Sequence, residues 1–339
     1  MNAYERVMRR LAGGTVDRPP NFDILMAFAA HHIGARLRDY YLDYRVLCAA
    51  NFAVQEEFNL DIVQAISDPY REAVDLGLEV VFPDDGLPVK QRSLVEDPSD
   101  LAKLEPIKPS EGERMSDRLQ AVQWMRENVG GEVPVMGWVE GALAEAADLR
   151  GDTPIMLDLY DRPEWLKELL EFCTEVEIEF AKAQVEAGAD IIGLGDAIAS
   201  QVSPQMYEEF ALPYEKRIFD AVHEMGALAR LHICGDTSRI VEPMARTGAD
   251  IIDLDWMVDF RAAVETLGET PVLCGNFNPV TVMHQGTPED VREATLYCMT
   301  WGGPRAISAA GCEIPDGTPP ENLHAQTEAL WEFGRGQAA

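Results

Sequence analysis

The sequence predicts an α/β protein, and within that class a (β/α)8 barrel of the TIM type with an N-terminal extension and an inserted β-hairpin. From about residue 133 onward, short apolar runs alternate with stretches whose apolar residues recur at i, i+3 and i+4, as at Leu166, Leu169 and Leu170. This is the pattern of strands alternating with amphipathic helices. The segment 188–194 recurs almost unchanged at 248–254, and each copy places a helix-ending glycine before a buried strand. No G-x-G-x-x-G phosphate turn opens a helix, which disfavours an open doubly wound sheet.

Eight segments have the composition of strands. They are short apolar runs bounded by turn residues, and they lie at 21–26, 60–66, 133–139, 190–194, 228–233, 250–254, 271–274 and 305–309. Helices are predicted at 4–12, 29–58 and 114–129, and then between the later strands. Because barrels of this kind routinely reach this length as one unit, we expect residues 1–339 to form a single domain.

Residues 78–95 are predicted to form the inserted hairpin. Two apolar segments, 78–82 and 87–95, flank the turn sequence Pro83-Asp84-Asp85-Gly86, which is a hairpin signal. A polar, proline-containing linker follows at 96–113. We expect the hairpin to lie over the barrel as a flap.

The amino-acid composition and net charge restrict the kinds of partner that the chain can bind. The chain has 59 acidic and 28 basic residues and a net charge of −31, which disfavours nucleic acid and anionic membranes. It has no apolar run of 18 residues and no secretory h-region, so neither a membrane span nor a signal peptide is expected. Six cysteines in 339 residues do not form a disulfide framework. We therefore expect a cytoplasmic protein with reduced thiols.

A metal site is predicted where three strands end. His232 and Cys234 are two residues apart on an extended strand and therefore point to the same face. A thiolate from a distant strand would complete three ligands for Zn²⁺ and leave the fourth position open, as in catalytic zinc sites. Cys312 follows Gly311 at a strand end and is the favoured third ligand, with Cys274 as its rival.

The carboxyl ends of the other predicted strands also carry polar side chains. In a (β/α)8 barrel these ends meet at one rim, where the chemistry takes place. The rim residues are Asp68, Trp138 with Glu140, Asp196, Asp255 with Trp256, Asn276 with Asn278, and Glu313. Some have ordinary structural explanations, since Asp196 could cap the following helix and Asn276 could fix a turn. Independent caps do not account for two thiols and an imidazole at the same rim.

These residues resemble a known family. His232-x-Cys234 followed by Cys312 is similar to the zinc motif of the cobalamin-dependent methyltransferases within the uroporphyrinogen decarboxylase superfamily, whose members share a (β/α)8 barrel. The supporting stretches extend over the whole chain and include residues 5–6, 16–20, 188–190, 231–235, 274–276, 311–315 and 318–322.

The resemblance implies a Zn²⁺ enzyme that moves a methyl group between a small substrate and the cobalamin of a partner corrinoid protein. The substrate would be a thiol such as coenzyme M, or an O- or N-methyl compound, and the direction of transfer stays open. The sequence has no D-x-H-x-x-G cobalamin signature, which is why the corrinoid is expected on a partner.

Roles for the rim residues follow from this implied chemistry. Glu140 or a substrate atom is expected at the fourth zinc position, with Asp196 and Asp255 orienting ligands or contacting substrate. The predicted substrate-binding residues, some of them apolar walls, are Asp68, Trp138, Tyr207, Trp256 and Asn276.

The alternative is a decarboxylase of the uroporphyrinogen decarboxylase type. Asp68 resembles the catalytic aspartate of those enzymes. Their Met-Arg-Gln-Ala-Gly-Arg segment, which holds substrate carboxylates, is replaced here by Ile24-Leu25-Met26-Ala27-Phe28-Ala29. So acidic a chain would also repel an octacarboxylate substrate. The sequence therefore favours methyl transfer.

Overall fold

A computed structural model describes residues 1–268 and 271–337 of the chain. Within them, seven parallel strands pair in the order β1, β4, β5, β6, β7, β8, β9, and a separate antiparallel pair, β2 and β3, forms the hairpin. The strands are β1 Val63–Gln64, β2 Val80–Val81, β3 Val89–Lys90, β4 Val135–Glu140, β5 Ile191–Gly195, β6 Leu228–His232, β7 Ile251–Asp253, β8 Val272–Cys274 and β9 Ala306–Ile307.

The segment around Asn21 fills the gap between the last and first strands of this sheet. Phe22 N–H donates to the Ser308 carbonyl at 2.9 Å, and Asp61 N–H donates to the Asn21 carbonyl at 3.0 Å. The strand predicted at 21–26 is therefore wrong in its length, because only the Asn21–Ser308 bridge forms and a helix begins at Ala27. The (β/α)8 barrel fold is confirmed.

Helices surround the sheet. They are α1 Ala3–Leu11, α2 Ala27–His32, α3 Leu37–Leu42, α4 Tyr44–Phe58, α5 Arg71–Asp75, α6 Glu113–Val129, α7 Ala142–Arg150, α8 Asp152–Asp161, α9 Pro163–Ala187, α10 Pro204–Phe210, α11 Leu212–Glu224, α12 Val241–Ala245, α13 Phe260–Leu267, α14 Pro288–Gly302 and α15 Pro320–Gln337. The single helix predicted over 29–58 is wrong, because Gly34 turns the chain at φ 72°. The Asp43 side chain then caps α4 by accepting the Arg45 N–H. None of the described helices is long and apolar enough to cross a bilayer.

The hairpin forms at the predicted place but is shorter than predicted. Val80 pairs with Lys90 and Val81 with Val89, and Gln91 N–H donates to the Glu79 carbonyl at 2.8 Å, whereas residues 92–95 leave the ladder. Leu94 and Val95 N–H groups donate instead to the Leu149 carbonyl at 2.8 and 3.0 Å. These bonds tie the base of the hairpin to the carboxyl end of α7.

Strand register places the site residues in one row inside the barrel. Glu140 lies opposite Gly195, Gly195 opposite His232, and His232 opposite Asp253. One layer deeper, Trp138 lies opposite Gly193 and Gly193 opposite Arg230. Since side chains alternate along each strand, both rows face the barrel interior. The upper row, at the carboxyl ends of the strands, is the floor of the mouth.

Candidate metal centre

The three predicted metal ligands converge. The Nε2 atom of His232 lies 3.0 Å from Sγ of Cys234 and 3.9 Å from Sγ of Cys312, and the two sulfur atoms are 3.5 Å apart. His232 ends β6, Cys234 begins the loop after it, and Cys312 lies beyond β9. Among the described residues, this is the group of three His, Cys or carboxylate side chains close enough to share a metal ion.

Gly311 allows the loop that carries Cys312 to reach this position. A Cβ atom on Gly311 would lie 2.3 Å from the backbone nitrogen of Trp256, which is too close for any side chain to be accommodated without moving the backbone. The loops after β7 and β9 therefore touch only because this residue has no side chain. Cys274, the rival third ligand, is fully buried in the barrel interior and lies outside the group.

The donor set and its spacing fit Zn²⁺. Tetrahedral ligands with zinc–sulfur bonds of about 2.3 Å and zinc–nitrogen bonds of about 2.0 Å lie about 3.5 to 3.8 Å apart. The observed separations, 3.0 to 3.9 Å, bracket this range. Two thiolates and one imidazole also match the preference of Zn²⁺ for sulfur and nitrogen donors.

The pKa values of His232, Cys234 and Cys312 depend on one another. The hydrogen bond from Cys234 lowers the pKa of Cys312 to about 4, and the interaction between the two thiols, with burial, raises the pKa of Cys234. Burial alone would lower the pKa of His232, but the Cys234 charge and the Asp253 hydrogen bond raise it well above its usual value. One sulfur is thus a thiolate at neutral pH, the form that binds metal.

Asp253 and Arg230 fix the orientation of the imidazole from below. Asp253 Oδ2 lies 2.8 Å from Nδ1 of His232, so Nδ1 keeps its proton and Nε2 faces the thiols. Arg230, fully buried, contacts the same carboxylate at 2.8 to 3.1 Å. This guanidinium holds the pKa of Asp253 below its usual value although burial opposes it.

Sequence reasoning did not assign Asp253 or Arg230 to the site. The available signal was an ionisable residue in the middle of an apolar run, in Ile251-Ile252-Asp253 and in Leu228-Ala229-Arg230. Buried charges of this kind require partners. The register that pairs the two strands could not be read from either run alone.

Asp255 lies beside the metal cluster. Its Oδ2 atom accepts the Gly235 N–H at 2.9 Å, and its Oδ1 atom accepts the Met257 N–H at 3.2 Å. The negative charge of Cys312 contributes to a raised pKa of Asp255, although burial is the largest cause.

Trp256, next in sequence, is 44% exposed at the rim. The Asn276 amide donates to the carbonyls of Asp255 and Val258 at 3.0 and 2.7 Å, which fixes this loop.

Glu140 faces the mouth two strands away from His232. Its Oε1 atom accepts from Nη2 of Arg71 at 2.6 Å. Burial is the largest cause that raises the pKa of Glu140 to about 8. Gly195 lies between Glu140 and His232 in the row, and a Cβ there would lie 3.2 Å from the Trp138 indole and 3.3 Å from Glu140 Oε2.

Two predicted site residues lie behind the wall of the barrel. The Tyr207 hydroxyl is fully buried and donates to Glu215 Oε2 at 2.5 Å. Asp196 is fully buried next to Gly141, at the start of α7. Burial, followed by the charge of Glu215, raises the pKa of Asp196 well above its usual value. The structure therefore groups these two with each other and not with the three metal ligands.

Residues 2–333 match the protein family described as uroporphyrinogen decarboxylase (URO-D). The chain belongs to the uroporphyrinogen decarboxylase family. Over 335 residues it is 31% identical to a methylcobamide:CoM methyltransferase, MtbA, from Methanosarcina acetivorans, with 97% of each chain covered. It is 27% identical over 347 residues to a uroporphyrinogen decarboxylase from Prochlorococcus marinus, with 95% of each chain covered.

The fold has a solved counterpart. A methyltransferase from Methanosarcina mazei superposes on this chain with a TM-score of 0.90 at 24% sequence identity, covering 98% of this chain and 99% of that one. The family resemblance stated from the sequence is confirmed.

Asp68 is the residue of this family member that resembles the catalytic aspartate of the decarboxylases. Here its Oδ2 atom lies 2.5 Å from Nη2 of Arg114, and its Oδ1 atom accepts the Tyr70 N–H at 3.1 Å. The carboxylate is buried and neutralised by a guanidinium. Both oxygens already have partners within the protein.

Proposed function

We propose that this protein is a zinc-dependent methyltransferase that moves a methyl group between a small substrate and the cobalamin of a partner corrinoid protein. The substrate is a thiol such as coenzyme M, or an O- or N-methyl compound. The observation that carries the proposal is the convergence of His232, Cys234 and Cys312 within 3.9 Å at the mouth of the barrel. A family relative that is 31% identical over nearly the whole chain is named a methylcobamide:CoM methyltransferase.

His232, Cys234 and Cys312 would hold the zinc, and the ion would supply an electrophilic centre that keeps a bound thiol as thiolate at neutral pH. Asp253 keeps the imidazole in the tautomer whose Nε2 faces the metal. Asp255 holds the backbone beside Cys234 through Gly235. These contacts fix the ligands before substrate arrives, which reduces the reorganisation needed for transfer.

Glu140 is the proposed proton acceptor, or the fourth metal ligand, on the opposite side of the mouth. Its carboxylate lies in the same row as His232, with Gly195 and the Trp138 indole that packs against it between them. Burial raises the pKa of Glu140 to about 8, so the carboxyl is largely protonated at pH 7 and can take a proton from a thiol as the pH approaches 8. Trp138 closes the barrel beneath and excludes water from below.

The decarboxylase alternative has less support. An aspartate that stabilises a developing positive charge on a substrate needs free oxygens facing it, whereas Asp68 is paired with Arg114. Residues 24–29 contain no arginine that could hold substrate carboxylates.

The test measures zinc and methyl transfer together. His232→Ala, Cys234→Ala and Cys312→Ala should each lose the single equivalent of bound zinc and the transfer of methyl groups, followed as a change in the cobalt absorbance spectrum. Cys274→Ala removes a buried thiol outside the group and is the matched control. Full zinc content and activity in Cys312→Ala would refute the site, and formation of coproporphyrinogen from uroporphyrinogen would favour the decarboxylase.

A further inference from the structure

His31, near the end of α2, joins two parts of the chain that are far apart in sequence. Its Nε2 atom lies 3.0 Å from Asp85 Oδ1, and its Nδ1 atom lies 2.9 Å from Asp316 Oδ2. Asp85 belongs to the turn of the hairpin, between β2 and β3, and Asp316 lies in the loop after β9, four residues beyond Cys312. One imidazole therefore bridges the hairpin turn and the loop that carries a proposed metal ligand. We call His31, Asp85 and Asp316 the latch.

The two contacts of His31 require an imidazole that carries both ring protons. A neutral imidazole has one N–H group and one bare nitrogen, so it can donate to only one of the two carboxylates. The lone pair of the bare nitrogen would then face the other carboxylate, and the two would repel each other. The carboxylates accordingly raise the pKa of His31 above its usual value of 6.5, with the hydrogen bond to Asp85 as the largest cause.

Other charged side chains near the latch have partners of their own. These pairs are Arg36 with Asp84 at 3.0 Å, Arg38 with Asp84 at 3.7 Å, His32 with Glu57 at 3.0 Å, and Glu313 with the Ala27 N–H at 3.0 Å. The side chains of His31, Asp85 and Asp316 are 34%, 54% and 50% exposed, so water reaches all three. The imidazole can therefore exchange protons with solvent while it is in place.

Backbone hydrogen bonds hold the hairpin turn at the same place. Leu37 N–H donates to Asp85 Oδ1 at 3.1 Å, so this oxygen contacts both Leu37 and His31. Arg38 N–H donates to the Asp84 carbonyl at 3.0 Å. Both amides lie at the start of α3, and the first N–H groups of a helix have no acceptor within the helix. Exchange of these two amides with solvent therefore reports whether the turn is docked.

We propose that His31 is a pH-dependent latch, which fastens the hairpin turn to the loop after Cys312 while it carries both ring protons and releases the turn when it loses one. The docked state binds the extra proton more tightly than the released state. The latch is therefore closed at low pH and opens as the pH rises through the titration of His31. This inference concerns the motion of the hairpin and holds whether or not the protein transfers methyl groups.

Hydrogen exchange of the Leu37 and Arg38 amides, followed by NMR between about pH 5.5 and 8.5, tests the proposal. The quantity compared is the protection factor, which is the exchange rate of an unstructured peptide at each pH divided by the measured rate. The protection factor should fall about 2- to 10-fold as the pH rises through the titration of His31, since exposed ion pairs are weak. The ring nitrogen resonances of His31 should show two N–H groups at the low end of the range and one at the high end.

Three variants assign the effect. His31→Gln removes the charge, so it should lower the protection factor at low pH and abolish its pH dependence. His31→Arg keeps a charge that no pH in this range removes, so protection should persist at high pH. His223→Gln is the matched control, since His223 is 36% exposed and pairs with Asp250 at 3.0 Å, and it should leave the fall in protection unchanged.

The results that would overturn the latch are equally specific. The same fall in protection in His31→Gln would assign the pH dependence to another group. Equal protection across the pH range in the unmodified protein, or a single ring N–H group on His31 throughout, would show that the imidazole does not bridge the two carboxylates. Loss of the fall in His223→Gln would indicate a general effect of histidine charge and would also overturn the proposal.

Discussion

Replacing Asp253 by asparagine tests the support beneath the metal centre. The substitution keeps the shape of the side chain but removes the charge that accepts from Nδ1 of His232 at 2.8 Å and from Arg230 at 2.8 to 3.1 Å. The amide can present its NH2 group to the imidazole, which would then favour the wrong tautomer. We expect zinc affinity to fall 10- to 100-fold, the usual effect of losing a carboxylate behind a metal-bound histidine, or about 1.4 to 2.7 kcal/mol.

The same substitution should also destabilise the fold, because it leaves the Arg230 charge buried without its partner. Breaking a buried pair in this way costs about 3 to 5 kcal/mol. Replacing both groups, in Asp253→Asn with Arg230→Met, removes the unpaired charge and should recover most of that loss. It should not recover zinc affinity, because the imidazole still lacks its acceptor.

Two measurements separate these effects. Competition with a chromophoric chelator gives the zinc affinity, and urea denaturation of the metal-free protein gives the free energy of unfolding. Asp190→Asn, at the opposite end of the barrel, is the matched control, since Asp190 pairs with Arg126 and contacts none of the three ligands. Zinc affinity within twofold of the unmodified value in Asp253→Asn would refute the orienting role.

Two further predictions concern stability. Burial raises the pKa of Glu215 from 4.5 to about 7, so the native state binds more protons between these values and the free energy of unfolding should fall as the pH rises through them. Glu215→Gln should remove up to about 1.4 kcal/mol per pH unit of that slope, measured by urea denaturation at several pH values. A Cβ on Gly193 would lie 2.3 Å from the Trp138 ring. Gly193→Ala should therefore lower the free energy of unfolding by about 1 to 3 kcal/mol and shift the tryptophan fluorescence. Gly336→Ala is the control, since Gly336 has open space around it, and should have neither effect. Equal stabilities for the two glycine variants, or an unchanged slope for Glu215→Gln, would contradict these assignments.

The later part of the barrel could be predicted because its strands are apolar on both faces and end in turn residues. The first strand could not be predicted, because the Asp23 side chain takes the place of a backbone carbonyl as a hydrogen-bond acceptor there. Asp23 Oδ1 accepts the Ala310 N–H at 2.8 Å, a contact between residues 287 positions apart. An alternating apolar pattern at 21–26 therefore forms a bridge at Asn21 and an irregular segment after it. Nothing in the residues at 21–26 indicates that Asp23 accepts a hydrogen bond from so distant a donor.

The convergence of His232, Cys234 and Cys312 could be predicted because strand periodicity and barrel closure constrain it. Side chains two residues apart on a strand point to the same face of the sheet, and the carboxyl ends of the strands of a barrel meet at one rim. Arg71, which donates to Glu140, begins a helix outside the strand sequence, and nothing in the residues around it shows that it reaches this carboxylate. Tyr207 was misleading for the converse reason, since its hydroxyl binds Glu215 behind the barrel wall.

The two glycines of the Gly193-Leu194-Gly195 segment explain how a bulky indole fits beside the His232–Cys234–Cys312 cluster, with the Trp138 and His232 ring centres 6.1 Å apart. At the lower position, a Cβ would lie 2.3 Å from the Trp138 ring, so the missing side chain admits the indole. At the upper position, a Cβ would lie 3.2 Å from the same indole and 3.3 Å from Glu140 Oε2, so a larger residue would displace one of the two. Because strand alternation places both glycines on the inner face, the same short segment makes room for the indole that closes the floor of the mouth. A dry floor would serve a bound metal and its substrate, since a hydrated floor would weaken the electrostatic interactions above it.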